Sequence, residues 1–331
     1  MSISNMPEKI FVDYLRQINN AGGPTESDWP SMTLAVANLR EVVSSEWFKE
    51  QFAFIADSDY PSCFKRIMTE PEGYPGDYQT LWELHHGRVM GNVAFDKLTT
   101  NEKQRRLIEN WDQFIFNQHA VGAIKHRSEE VKDVLGYMNR YRLIKAETKF
   151  SVKDIACGWG LFPDAIKRSN INPNFIDYIA VDASAKAIDF TKKLIEDDAI
   201  DFRSTAYLNA RISGVRAVAE QLPQSELTWS SGLFDYFGDE LFIRAGLNLC
   251  RSTERLLVIG NMSRNSISIP MMELLGWTIE CRTKAHLVTL GQKILARYAM
   301  EMGQKWLQSR KPFIQVTQDP TGVQYYLKIH L

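Results

Sequence analysis

The sequence predicts an α/β protein: a doubly wound, parallel sheet closed by a C-terminal antiparallel hairpin and preceded by an N-terminal all-α domain. Three observations carry this. Residues 1 to 145 show helical periodicity and no convincing strand run. From Lys149 onward, short apolar runs alternate with helical patterns, which implies parallel pairing. The chain closes on KPFIQVTQDPTGVQYYLKIHL, where Asp319-Pro320-Thr321-Gly322 is a turn between two alternating runs. We therefore expect a helical domain over 1–145 and a sheet domain over 146–331.

In chain order, Pro7–Asn20 and Ser31–Ile55 space their apolar residues as helices do, the latter with Leu34, Ala37, Val42, Trp47, Phe48, Phe52 and Ile55. Thr99–Arg127 and Ser128–Ile144 continue the pattern, and Ser128 with Glu130 behind it is expected to cap the second of these. The strand candidates are FSVKDIA, FIDYIAVD, STAYLNA, ELTWSS and RLLVIGN, followed by the hairpin.

Composition narrows the class. The 331 residues carry 39 Lys+Arg against 40 Asp+Glu, so no electrostatic footprint exists for nucleic acid or an anionic membrane. No window approaches the length of uncharged apolar chain that a membrane span needs. Cys63, Cys157, Cys250 and Cys281 are far apart and form no CxxC pair, which offers neither a zinc site nor a disulfide framework. The expected setting is cytoplasmic, with a small-molecule substrate, no metal, no membrane and an open oligomeric state. The aromatic content, 8 Trp, 12 Tyr and 17 Phe, is the one unusual figure.

The strongest motif is Val152-Lys153-Asp154-Ile155-Ala156-Cys157-Gly158-Trp159-Gly160, followed by a helix opening at Leu161-Phe162-Pro163-Asp164. Glycines in such a turn let the backbone approach a ligand, and the following helix directs its N–H groups at it. Pro163 stands where the dinucleotide fingerprint GxGxxG needs a small residue, so a nicotinamide or flavin dehydrogenase is excluded. The second strand ends at Asp182, 22 residues past Gly160, where a carboxylate can accept both hydroxyl protons of a ribose. The same acid could instead cap the helix expected over 183–196.

DIACGWG with Asp182 resembles the cofactor site of class I S-adenosylmethionine-dependent methyltransferases, and the hairpin resembles their sixth and seventh strands. Ala156 stands where that family has the first glycine of its turn, and an alanine is expected to exclude a positive φ there. From about residue 70 the resemblance extends to a bacterial subgroup, the 3-hydroxypalmitate methyl ester synthases and the related azetidine-2-carboxylate synthases. It rests on Gly73-Tyr74-Pro75-Gly76-Asp77, on Ser231-Gly232-Leu233-Phe234-Asp235-Tyr236, on Gly260-Asn261, on Met272-Glu273 with Trp277, and on the hairpin turn.

The resemblance implies a Rossmann-like class I methyltransferase sheet with a helical lid, since the strand tips of an open sheet need cover to exclude water. It implies S-adenosylmethionine as methyl donor or as substrate. The expected cofactor contacts are Asp77, Asp154, Ala156, Gly158, Trp159, Gly160, Asp182, Asn209, Ser231 and Asp235. Tyr74, Tyr236 and Asn139 are the candidate catalytic residues. The turn after the fourth strand lacks the [DNS]PP[YFW] tetrad of nucleic-acid N-methyltransferases. Methyl transfer to a small carboxylate or amine is the leading expectation, in signalling or natural-product biosynthesis. The alternative is a lyase that cyclises the cofactor to azetidine-2-carboxylate and methylthioadenosine.

Overall fold

The computed structural model describes residues 6–90, 98–212 and 220–331. The chain divides into two compact units: Met1–Lys125 with Ser266–Thr278, and His126–Asn265 with Ile279–Leu331.

Among its described residues the first unit has helices joined by turns and no strand, including Met6–Ala21, Trp29–Leu39, Ser45–Glu50, Ala53–Ala56, Cys63–Thr69, Tyr78–His86 and Glu102–Phe116. The single helix expected over 31–55 is broken: Ser44 caps a new helix by accepting from Trp47 N, and Phe52 begins a further turn. Much of the aromatic content is explained here. Phe52 stands 4.8 Å from Trp111 in an edge-to-face contact and 4.9 Å from Phe64, and Phe11 and Phe48 extend the cluster. Such pairs contribute about 0.5–1.5 kcal/mol each beyond their buried area.

The second unit holds a seven-stranded sheet of order β3-β2-β1-β4-β5-β7-β6. Its strands are β1 (Phe150–Ile155), β2 (Ile176–Asp182), β3 (Ser204–Asn209), β4 (Ser225–Ser231), β5 (Thr253–Met262), β6 (Phe313–Gln318) and β7 (Gln324–His330). β1 to β5 pair in parallel and the β6–β7 hairpin joins β5 antiparallel, as the sequence predicts. The strand order steps outward from β1 in both directions, so the tips of β1, β2 and β4 flank a topological switch point, the place where such sheets bind ligands.

Two boundaries differ from expectation. The helix expected to begin at Ser128 begins at His119 and runs unbroken to Ile144. The break lies at Asn117 and Gln118, whose side-chain amides donate to Gln113 O and Phe114 O and so satisfy the last carbonyls of the preceding helix. Ser128 is buried mid-helix and caps nothing. Residues 126–145, read from the sequence as part of the helical domain, pack with the sheet: Val131, Val134, Leu135 and Met138 share one core with Phe150, Val152, Trp229 and Tyr326. Conversely, Ser266–Thr278 groups with the first unit; its helix is Ile269–Leu274, and Trp277 lies beyond that helix's end.

Among the described residues no helix is long and apolar enough to cross a membrane, and no group of three or more His, Cys, Asp or Glu could hold a metal ion.

Candidate active site

The glycine turn leaves β1 and is clamped from β2. Cys157 N–H donates to Val181 O (3.2 Å), Gly158 N–H to Asp182 Oδ2 (3.0 Å), and Gly160 N–H to Cys157 O (3.0 Å). Asp182 Oδ1 accepts from Ser184 N–H (2.8 Å). Each carboxylate oxygen has two lone pairs, so both keep acceptor capacity for a ligand. Burial pushes the Asp182 carboxyl above its ordinary value, and the Ser184 and Gly158 N–H bonds oppose it. Asp182 is not the helix cap: Ser184 caps helix Ala185–Asp197 by accepting from Ala187 N.

Gly158 and Gly160 take left-handed φ values of +56° and +84°. A Cβ at Gly160 would also press on Thr191 Oγ1 at 3.4 Å, and Thr191 Oγ1 donates to Gly158 O (3.1 Å). The expectation that alanine excludes a positive φ at position 156 does not hold. Ala156 has φ +55°. That conformation costs about 1–2 kcal/mol for a residue with a Cβ, and the backbone bonds on either side of the turn offset it. A non-glycine residue held in this region is a feature that functional loops share.

Asp154 lies under the turn, buried, accepting from Tyr178 Oη (2.9 Å). Burial, with the negative charge of Asp182 adding to it, raises its carboxyl to about 7. Trp159 is buried. Asn209 sits opposite Asp182 in the β2–β3 register and donates from Nδ2 to Asp182 O (3.0 Å).

At the β4 tip, Leu233–Tyr236 forms one 3-10 turn. Phe234 and Phe237 are buried in the core, whereas Tyr236 is 43% exposed. Asp235, expected as a cofactor contact, is directed inward: its Oδ1 accepts from Met262 N–H (2.7 Å) and from Asn261 Nδ2. Its carboxylate ties the turn to β5, and burial raises it above its ordinary value.

Asn139 is displaced from the site. Its Oδ1 accepts from Arg142 Nε (3.1 Å) and Nη2 (3.0 Å), and Arg142 in turn donates to Glu147 O and lies 4.2 Å over the Phe175 ring. Glu147 and Phe175 precede β1 and β2, so Asn139 stands at the N-terminal edge of the sheet, away from the ligand-facing tips. Tyr74 and Asp77 lie in the first unit. Tyr74 is exposed, and Asp77 is a buried helix cap, accepting from Thr80 N–H (2.8 Å) and Thr80 Oγ1 (3.2 Å). Burial raises the Asp77 carboxyl, and Thr80 N–H and Arg66 oppose it.

Two residues at the strand tips were not legible in the sequence. Arg282, 2% exposed, donates to Phe234 O, Phe237 O and Asp239 Oδ1 and fixes the turn after β4. Arg127, on helix His119–Ile144, reaches Gln324 Oε1 at 3.1 Å and Ser231 O at 3.5 Å. Neither is marked by a motif or spacing.

No family model matches the chain, and no curated protein does. Solved structures with a similar fold include magnesium protoporphyrin IX methyltransferase from Synechocystis PCC 6803 with bound SAM, at 9% identity and TM-score 0.45, covering 76% of this chain and 89% of that one. The mitomycin 7-O-methyltransferase MmcR is 13% identical at TM-score 0.45, covering 76% of this chain and 69% of that one. N,N-8-amino-8-demethyl-D-riboflavin dimethyltransferase from Streptomyces davawensis is 13% identical at TM-score 0.43, covering 81% and 68%.

Proposed function

We propose that the chain is an S-adenosylmethionine-dependent methyltransferase acting on a small carboxylate or amine. One observation carries the reading: Asp182, at the tip of β2, is held under a left-handed glycine turn by Gly158 N–H while both its oxygens keep free lone pairs. Asp182 would take the ribose hydroxyls, Asn209 would lie beside the adenine, and the backbone of Gly158–Gly160 would allow the methionine chain to pass.

S-adenosylmethionine supplies an activated methyl group on a sulfonium. The chain's own task is then to place the acceptor in line behind that methyl group and to exclude water. A carboxylate acceptor needs no general base, which suits a strand-tip region whose acids, Asp154 and Asp235, are buried and engaged.

The burial of Asp235 favours a second reading, the lyase. Cyclisation requires the α-amine to lose its proton, attack Cγ and expel methylthioadenosine. A nearby free carboxylate would keep the amine protonated. Burial disfavours the charged form of the Asp235 carboxyl and so limits that opposition.

Incubation with S-adenosylmethionine, alone and with added acids and amines, followed by mass spectrometry, separates these. S-adenosylhomocysteine formed only with an acceptor supports transfer. Methylthioadenosine formed without one supports the lyase, and no turnover with any acceptor defeats both. For Asp182→Ala we expect affinity for S-adenosylhomocysteine to fall at least tenfold, because hydrogen bonds to a charged acceptor contribute about 1.5–3 kcal/mol. Unchanged affinity would overturn the ribose assignment.

A further inference from the structure

Around the tips of β4, β5 and β7 lies a set of buried polar atoms that the reading above does not use. Gly260 stands at its centre, in register with Ser231 of β4 on one side and Tyr326 of β7 on the other. Residues in register on adjacent strands point to the same face, so the missing side chain of Gly260 lets Gln324 and Ser231 close over the backbone beside Tyr326. A Cβ at Gly260 would lie 3.0 Å from Gln324 Nε2 and 3.2 Å from Ser231 Cα, so the position admits only glycine in the present arrangement. Gly232, at φ +108°, makes a second concession: a Cβ there would lie 3.1 Å from Arg127 Nη1.

Polar atoms beside Gly260 lack partners. Ser231 Oγ, Tyr326 Oη, Gln324 Nε2 and Arg127 Nε are all buried and unpaired by hydrogen bonds. Tyr326 and Gln324 are fully enclosed, and Arg127 is 6% exposed. Buried polar groups are normally satisfied, because leaving one unpaired costs about 1–3 kcal/mol. Four together around one glycine need a common explanation.

The Arg127 guanidinium supplies it. Its Nη2 donates to Gln324 Oε1 (3.1 Å) and its Nη1 stands 3.5 Å from Ser231 O. No carboxylate forms an ion pair with it among the described residues. Each acid around it is committed elsewhere. Asp235 accepts from Met262 and Asn261, Glu130 pairs with Lys328 at 2.6 Å, and Asp319 accepts from Val323 and Gln324 N–H within the hairpin turn. The buried Asp235 feels the Arg127 charge, which opposes the rise of its carboxyl, but no hydrogen bond joins the two; a planar guanidinium matches a carboxylate through two parallel bonds.

From these atoms we infer that the polar cluster beside Gly260 is a carboxylate-binding subsite: Arg127 supplies the positive charge, and Gln324 Nε2, Ser231 Oγ and Tyr326 Oη are the further donors. It deepens the methyl-transfer reading and rests on that reading for the ligand's neighbourhood. Two sources present this chemistry at the β4 tip: the methionine carboxylate of S-adenosylmethionine and the carboxylate of a second substrate.

Calorimetric titration of the full chain and of Arg127→Met decides. The probes are S-adenosylhomocysteine, methylthioadenosine (the same nucleoside thioether without the carboxylate), and octanoate against octanamide, with and without S-adenosylhomocysteine. If the cofactor's own carboxylate binds here, the substitution weakens S-adenosylhomocysteine at least tenfold and leaves methylthioadenosine unchanged. If the second substrate's carboxylate binds here, the substitution removes the preference for octanoate over octanamide. Arg127→Lys should restore part of either effect. Equal losses for charged and uncharged probes would mean that Arg127 only packs, and no loss for any probe would overturn the subsite. If the unsubstituted chain binds neither nucleoside, the cofactor reading fails by itself while the octanoate comparison still tests the subsite.

Discussion

Two arginines are buried at the same edge of the sheet, and the chain treats them oppositely. Arg282 is saturated: carbonyls of Phe234, Phe237 and Glu280 and the Asp239 carboxylate surround its guanidinium, which also lies 4.8 Å over the Phe242 ring. Arg127 is left with an amide oxygen and a distant carbonyl. The first serves the fold by holding the turn after β4. The second stands among polar atoms that are equally unpaired. Burial alone therefore does not mark a functional charge; incomplete pairing does.

The largest expected effect tests the saturated member. Arg282→Met leaves the carbonyls of Phe234 and Phe237 without this donor, and an unpaired buried polar group costs about 1–3 kcal/mol each. Arg127→Met removes a charge that makes no ion pair and only one close hydrogen bond, so we expect it to cost about 1 kcal/mol. Urea denaturation of the two variants measures the difference; equal losses would erase the distinction.

Asp154 extends the comparison to a buried anion. Its carboxyl titrates near 7 in the fold because of burial, but in the ordinary acid range when unfolded. Between about pH 4 and 7 the folded chain therefore holds a proton that the unfolded chain releases, and this group makes stability fall as pH rises through that window. Asp154→Asn should show a flatter stability profile over the same range, relative to the parent chain. A profile with the same slope would mean that Asp154 is ionised in the fold.

The smallest effect concerns the glycine turn. Ala156→Gly relieves the left-handed strain but loosens the unfolded chain, so we expect a net stabilisation of at most about 1 kcal/mol. A loss of stability by thermal melting would mean that the turn tolerates the alanine without strain.

What was legible in the sequence follows from range. The strands, the hairpin and the glycine turn with Asp182 are written in local patterns: alternation, a Pro-Thr-Gly turn, and glycines directly after an apolar run. Arg127 and Arg282 were not legible, because a charged residue in a helical or loop pattern has the same local signature whether solvated or buried. Only long-range contacts, with Gln324 for Arg127 and with Phe234 and Asp239 for Arg282, reveal which it is. Asn139 was misplaced for a related reason. Proximity to β1 along the chain says nothing about which edge of the sheet a residue reaches, and twelve helical residues separate it from Arg127 by about 18 Å. Ala156 escaped because residue identity sets only the cost of a backbone conformation, and here the clamp from β2 outweighs that cost.

The unbroken helix His119–Ile144 has a consequence for how this site could change. Its rotational phase is set by Val131, Val134, Leu135 and Met138, which are locked into the sheet's core. Arg127 inherits that phase, one turn upstream. A residue inserted between Arg127 and Val131 would swing the guanidinium about 100° around the helix axis and shift it about 1.5 Å along it. Point substitutions on the outer face would leave its aim intact. The spacing of this stretch should therefore tolerate rewriting of its letters far better than any change in their number.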